Sequence, residues 1–214
     1  MTEPFDIFKE SQIFTGDVDQ YLKFINSYFD VCHNKKVLEI GPYDGIHTKE
    51  IIKNNPSYLE VIEGYKPCIK TLEAIPKIDK IVHGDVMKEL TIVNQFDIVI
   101  CFGVLYHLHS PLHLLELIVN NCRPKYLMFD CVFEQEQITV LEENINIPGS
   151  CQTQKNWKSC GVNIVIPFLT YKQCLEKMGY ELSNTHILNV STVAKSNSWL
   201  ATWILKEDND KSIS

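Results

Sequence analysis

The stretch that decides the fold is VLEIGPYDGIHTKEII, Val37 to Ile52. Val37, Leu38 and Ile40 make a short buried strand, interrupted by Glu39. Gly41, Pro42, Tyr43, Asp44 and Gly45 follow, a turn rich in residues that permit unusual backbone angles. Thr48 then offers a helix N-cap ahead of an apolar-periodic run through Ile51 and Ile52. Strand, glycine turn and helix start together form the geometry that holds a nucleotide. Glycines admit the ligand to the backbone, and free N–H groups at the helix start face it. Glu39 narrows the choice: an acid closing the strand repels a pyrophosphate and welcomes a ligand with positive charge and no phosphate.

Downstream, Asn54, Asn55 and Pro56 break the chain, and SYLEVIEGY reads as a second strand ending at Glu63 and Gly64. An acid at that distance past a glycine turn is what nucleotide-type folds use to accept both ribose hydroxyls. Glu60 competes for this role, but it falls mid-strand, whereas Glu63 sits at the carboxyl end where ligands lie. Gly64 would let the adenosine approach the backbone. IVHGD, from Ile81 to Asp85, supplies a third strand, and the run from Phe96 to Cys101 a central one buried on both faces. Gly103, Val104, Leu105, Tyr106 and His107 follow, then Ser110 and Pro111 opening a leucine-rich helix.

These residues resemble the class I S-adenosylmethionine-dependent methyltransferases, whose first motif is an acid, any residue, then glycines at alternate positions. Glu39, Gly41 and Gly45 match it, and Tyr43 stands where the middle glycine is usual. The resemblance covers roughly Val37 to Glu207 and implies S-adenosylmethionine as cofactor. It implies that the glycine turn wraps the methionine and ribose, that Asp85 with the Val86 backbone recognises adenine, and that Phe102 lines the site. Read without the resemblance, Asp85 is a turn cap. GVLYH before a Ser-Pro helix start is similar to the branch containing tRNA wobble-uridine carboxymethyl-transferring enzymes and small-molecule enzymes. It is not the N/D-P-P-Y/F motif of amino-group methylases acting on adenine or cytosine. His107 is the candidate base, and Tyr106 a positioning hydroxyl or an aromatic wall for a sulfonium. The histidines at 107, 109 and 113 lack a partner ligand set with metal logic, so no metal is expected.

The implied fold is α/β: a doubly wound, mostly parallel seven-stranded sheet, helices on both faces, with an antiparallel last strand. PKYLMFDCVF gives its fifth strand. ELSNTHILNV and SWLATWILKE close the chain without a helix between them, which predicts the antiparallel insertion. PFLTYKQCLEKMGY precedes them as a helix, capped by Thr170 and stopped at Gly179. Residues 1–36 read as an N-terminal helical segment with Asp17 or Asp19 as cap, 37–207 as the methyltransferase domain, and 208–214 as a polar tail. Residues 134–162 break the strand–helix alternation and read as a substrate-side insertion carrying Trp157, Cys151 and Cys160.

Composition bounds the function. The 214 residues suffice for one well-buried domain. A net charge of −7 argues against bulk nucleic acid or an anionic membrane as partner. The acceptor is therefore expected to be a small molecule methylated on O or N. Eight scattered cysteines without a C-x-x-C pair, and an N-terminus with acids and no apolar core, point to a reducing, cytoplasmic setting. A nicotinamide oxidoreductase fails on the missing G-x-G-x-x-G. A catalytically silent partner subunit and a transferase of the carboxylated cofactor stay open, the latter expecting basic residues in the site.

Overall fold

The computed structural model describes residues 12–16, 18–91, 94–132, 139–141, 163–190 and 198–206. The strand read from Val37 onward is β2 (Lys36–Ile40), lying between β3 (Tyr58–Glu63) and β5 (Ile98–Cys101), parallel to both. Its position explains its composition. A central parallel strand is covered on both faces, so Val37, Leu38, Ile40 and all of β5 are buried.

Successive side chains point to opposite faces and so feed two separate cores. Val37, Ile98, Ile100 and Met128 pack with Ile25, Phe29, Ile51 and Leu72 on one face. That face carries α1 (Val18–Tyr28), α2 (Ile46–Lys53) and α3 (Lys66–Glu73). Leu38, Ile40, Val99, Cys101 and Phe129 pack on the other, against α5 (Pro111–Leu117) and α6 (Phe168–Lys177). Glu39 shares the Val37 face by the same alternation, which buries it beneath α2.

The remaining strands are β1 (Gln12–Gly16), β4 (Lys80–His83), β6 (Tyr126–Val132), β9 (Tyr180–Val190) and β10 (Ser198–Leu205). The sheet runs β1-β9-β10-β6-β5-β2-β3-β4, and β10 is antiparallel to both β6 and β9. From β4 to β9 these are the seven expected strands with the antiparallel insertion in place. A short α4 (Val86–Glu89) follows β4. A two-stranded antiparallel sheet pairs β7 (Thr139–Leu141), within the inserted region, with β8 (Asn163–Val165), just past its end.

Three local expectations are corrected. The N-terminal segment is not all helical: β1 adds an eighth strand, parallel to β9, ahead of α1. Its five residues carry too short a pattern to announce a strand, and the edge of β9 supplies the pairing. Thr48 is not an N-cap, because α2 begins two residues earlier with Gly45 at the cap in a left-handed conformation. Thr170 is likewise the third residue of α6, which opens after Pro167. Proline already presets the entry to α6, so no side-chain cap is required there. Asp17, Cys151, Trp157 and Cys160 lie outside the described residues.

Candidate active site

The glycine turn runs from the end of β2 to the start of α2. Gly41 has φ 70°, and a Cβ there would sit 2.3 Å from Cγ2 of Val104. The turn and the loop after β5 therefore touch at a point that only glycine fits. Gly45, at φ 75°, lies against Ile75 and Leu72, so its bareness lets the start of α2 pack on α3 and its following turn. Tyr43 is also left-handed, at φ 52°. The middle position of the motif thus demands a glycine-like backbone even where glycine is absent, at a cost of roughly 1–2 kcal/mol. Two contacts offset it. The Tyr43 N–H donates to Oε2 of Glu63 at 2.8 Å, and its ring stacks on Tyr65 with centroids 6.4 Å apart.

Glu63 closes β3 and is buried. Its Oε1 accepts from the Tyr65 N–H at 2.6 Å, so one carboxylate ties both sides of the opening. Burial raises its pKa, while the N–H groups of Tyr65, Tyr43 and Gly64 and the nearby His83 work in the opposite direction. Glu39, buried on β2, accepts from Oγ1 of Thr48 at 2.6 Å. Burial pushes its pKa up to about 8, with Glu63 and Asp44 adding to the rise against the Thr48 hydrogen bond. A third acid, Asp130, lies on β6, and its Oδ1 accepts from the Gly103 N–H at 2.5 Å. Burial lifts it to about 6. Among the described residues, none of these three acids forms an ion pair with a lysine or arginine.

A family profile described as a methyltransferase domain matches residues 19–187. The chain belongs to that family, the class I S-adenosylmethionine-dependent methyltransferases. This methyltransferase is 28% identical over 127 residues to the tRNA U34 carboxymethyltransferase of Pseudoalteromonas atlantica. That match takes in 55% of this chain and 38% of the relative, so the chain spans well under half of the relative's length. In fold it is similar to the 1,6-didemethyltoxoflavin-N1-methyltransferase of Burkholderia thailandensis. There the TM-score is 0.66 and the identity 12%, over 87% of this chain and 78% of the other. It is also similar to the magnesium protoporphyrin IX methyltransferase of Synechocystis PCC 6803, at TM-score 0.61 and 10% identity, over 94% and 89% of the two chains.

The acids suit the methyltransferase's cofactor, S-adenosylmethionine. Its sulfonium and ammonium are cations, and two buried carboxyl groups, Glu39 and Glu63, with a half-buried third, Asp130, provide the matching field, none of them ion-paired with a lysine or arginine among the described residues. The structure brings Glu39, Gly41, Tyr43, Gly45, Glu63 and Gly64 together around one turn. Glu60 is engaged elsewhere, with Lys80 at 3.0 Å and the Tyr58 hydroxyl, which leaves Glu63 as the acid at the opening. Asp85 is an exposed N-cap of α4, accepting from the Met87 N–H at 3.1 Å, and Val86 is the first residue of that helix. Phe102 is buried on the turn side of β5. Tyr106 and His107 lie in a short helical turn, Leu105–His107, ring against ring at 4.5 Å. Burial lowers His107 to about 4.

Sequence reasoning missed His47. It lies in the first turn of α2, with its Nε2 3.2 Å from the Tyr21 hydroxyl of α1 and its ring edge-on to Phe102 at 5.3 Å. Burial lowers its pKa to about 4 and raises that of Tyr21, the latter with help from the charge of Asp130. The available signal was its spacing, two residues past Gly45, which places it in the first turn of the helix. Asp130 lies within the run PKYLMFDCVF, which the sequence marks as a strand and no more.

Proposed function

We propose that this methyltransferase binds S-adenosylmethionine across the carboxyl ends of β2, β3 and β5 and methylates an O or N atom of a small organic acceptor. The observation that carries the cofactor placement is the set of buried acids around the glycine turn. When bound, the cofactor supplies an electrophilic methyl on a cationic sulfur. Glu63 accepts from the ribose hydroxyls, Gly41 and Gly45 admit the ligand to the backbone, and Phe102 walls the site. Asp85 and the Val86 backbone take the adenine edge. Tyr106 positions the acceptor or faces the sulfonium with its ring.

Alignment of the acceptor supplies roughly 7–11 kcal/mol of rate, and a base adds about 10²–10⁴-fold. His107 takes the proton when the acceptor must lose one. Its lowered pKa keeps it in the neutral, accepting form throughout the neutral range while weakening it as a base, so a bound acceptor must bring its proton down to meet it. The acceptor sits beside the GVLYH loop; of the insertion expected to face it, residues 134–138 and 142–162 lie outside the described residues. The net charge of −7 favours a compact organic molecule over bulk nucleic acid.

Labelled S-adenosylmethionine offered with total RNA and, separately, with a metabolite extract tests this. Label is expected in the extract; label in RNA alone would sink the small-acceptor reading. The second reading, carboxymethyl transfer to tRNA, is favoured by the likeness to the tRNA U34 enzyme. It predicts turnover with the carboxylated cofactor and RNA.

A further inference from the structure

Asp130 stands one strand beyond the proposed cofactor strands, and no motif assigns it a role. The Gly103 N–H fixes its carboxyl against the first turn of the β5 loop at 2.5 Å. Tyr21 lies within reach of its charge and joins His47, which in turn meets Phe102. These side chains form a wall on the side of the turn away from Glu63, where the sulfonium end of a cofactor anchored at its ribose must lie. The wall holds no positive charge at neutral pH, because burial keeps His47 neutral. The one arginine of the chain, Arg123, precedes β6 and so stands at the opposite end of that strand from Asp130. Among the described residues, no lysine or arginine pairs with Asp130.

We propose that Asp130 is a specificity-determining residue that admits the plain methyl sulfonium and rejects the donor carrying a carboxylate on the transferred carbon. This rests on the cofactor placement proposed above. A sulfonium is drawn to Asp130. A carboxylate one carbon away from that sulfur cancels the attraction and faces a like charge, with no lysine or arginine paired to Asp130 among the described residues to receive it. A like-charge contact of this kind costs roughly 10–100-fold in affinity.

Calorimetry on the full chain with S-adenosylmethionine and its carboxylated form measures the ratio directly. The unaltered protein is expected to favour S-adenosylmethionine at least about tenfold. Asp130→Asn, which keeps an oxygen for the Gly103 N–H, should bring the two donors within about threefold, and Asp130→Glu should restore the preference. Equal or tighter binding of the carboxylated donor by the unaltered protein overturns the proposal, as does an unchanged ratio in Asp130→Asn. Should Asp130→Asn fail to fold, Asp130→Ser replaces it, and the ratio in the unaltered protein still decides. Failure to bind either donor is a different outcome, and it overturns the cofactor site itself together with this proposal.

Discussion

At Glu39 the fold encloses a carboxyl beneath α2, with Thr48 alone among the described side chains donating to it, and its pKa rises to about 8. A raised carboxyl binds its proton more tightly when folded. Its contribution to stability is therefore complete below the unfolded pKa and is lost as pH rises through 8. Ligand binding runs the other way, since a cationic ligand favours the ionised acid and expels the proton. Affinity for S-adenosylmethionine should climb between pH 6 and 8, by up to about tenfold per unit, and level off above 8. Calorimetry in buffers of different ionisation enthalpy should register close to one proton released at pH 7, and no release would remove Glu39 from the ligand's field. The glycine turn offers a second test. Gly41→Ala adds a Cβ against Val104 at a left-handed φ and should lower Tm and weaken the cofactor together. Tyr43→Gly relieves strain but loses the ring stack and frees the unfolded chain. These terms are each about 0.5–2 kcal/mol and nearly cancel, so its Tm should stay close to that of the parent. Glu39, Gly41, Gly45 and Glu63 were legible because each answers to a backbone rule or a charge. His47 was not, since its partner Tyr21 belongs to another helix and only packing brings them together.

Among the elements, the turn Leu105–His107 makes the most direct kinetic statement. A histidine of ordinary pKa would give turnover a limb near pH 6.5. With His107 lowered to about 4, turnover should stay flat from pH 6 to 8 and fall only at more acidic pH. His107→Ala should lower turnover by about 10²–10⁴-fold with the cofactor's Kd unchanged, if the acceptor must be deprotonated. A limb near 6.5 in the parent enzyme would show that another group takes the proton. The contact between α1 and α2 rests in part on Tyr21 and His47, so Tyr21→Phe should cost about 0.5–1.5 kcal/mol, with faster hydrogen exchange confined to α1. Most strands were legible from apolar runs bounded by glycine, proline and asparagine. Helix starts were less so: Thr48 and Thr170 have capping chemistry, yet one donates to a buried acid and the other follows a proline that already sets the entry. A residue's suitability for a cap does not say where the backbone turns.

For the whole molecule, two cores on opposite faces share one sheet, and β10 stitches the carboxyl half of that sheet together. Trp203 on β10 is fully buried between Phe129 and Phe168, and its indole N–H has no partner among the described residues. Trp203→Ala should destabilise by about 3–5 kcal/mol. Trp203→Phe should cost much less, because it removes an unsatisfied donor along with volume. Urea titration of both variants separates packing from hydrogen bonding. The seven-stranded order was readable from the C-terminal pair of strands without an intervening helix. The eighth strand was not, because its pairing depends on β9, almost the full chain away.

That distance has a consequence for the order of synthesis. Gln12 pairs with His186, so of the described strands the first to leave the ribosome waits for the last but one. At translation rates of about 5–20 residues per second, the interval is on the order of ten seconds or more. Until β9 emerges, residues 12–16 have no edge to join, and the sheet can assemble from β2 to β6 without them. A chain stalled before Tyr180 should thus leave Gln12–Gly16 open to hydrogen exchange while Ile98–Cys101 is already protected. Protection of both in the stalled chain would mean that the N-terminal segment finds a temporary partner during its wait.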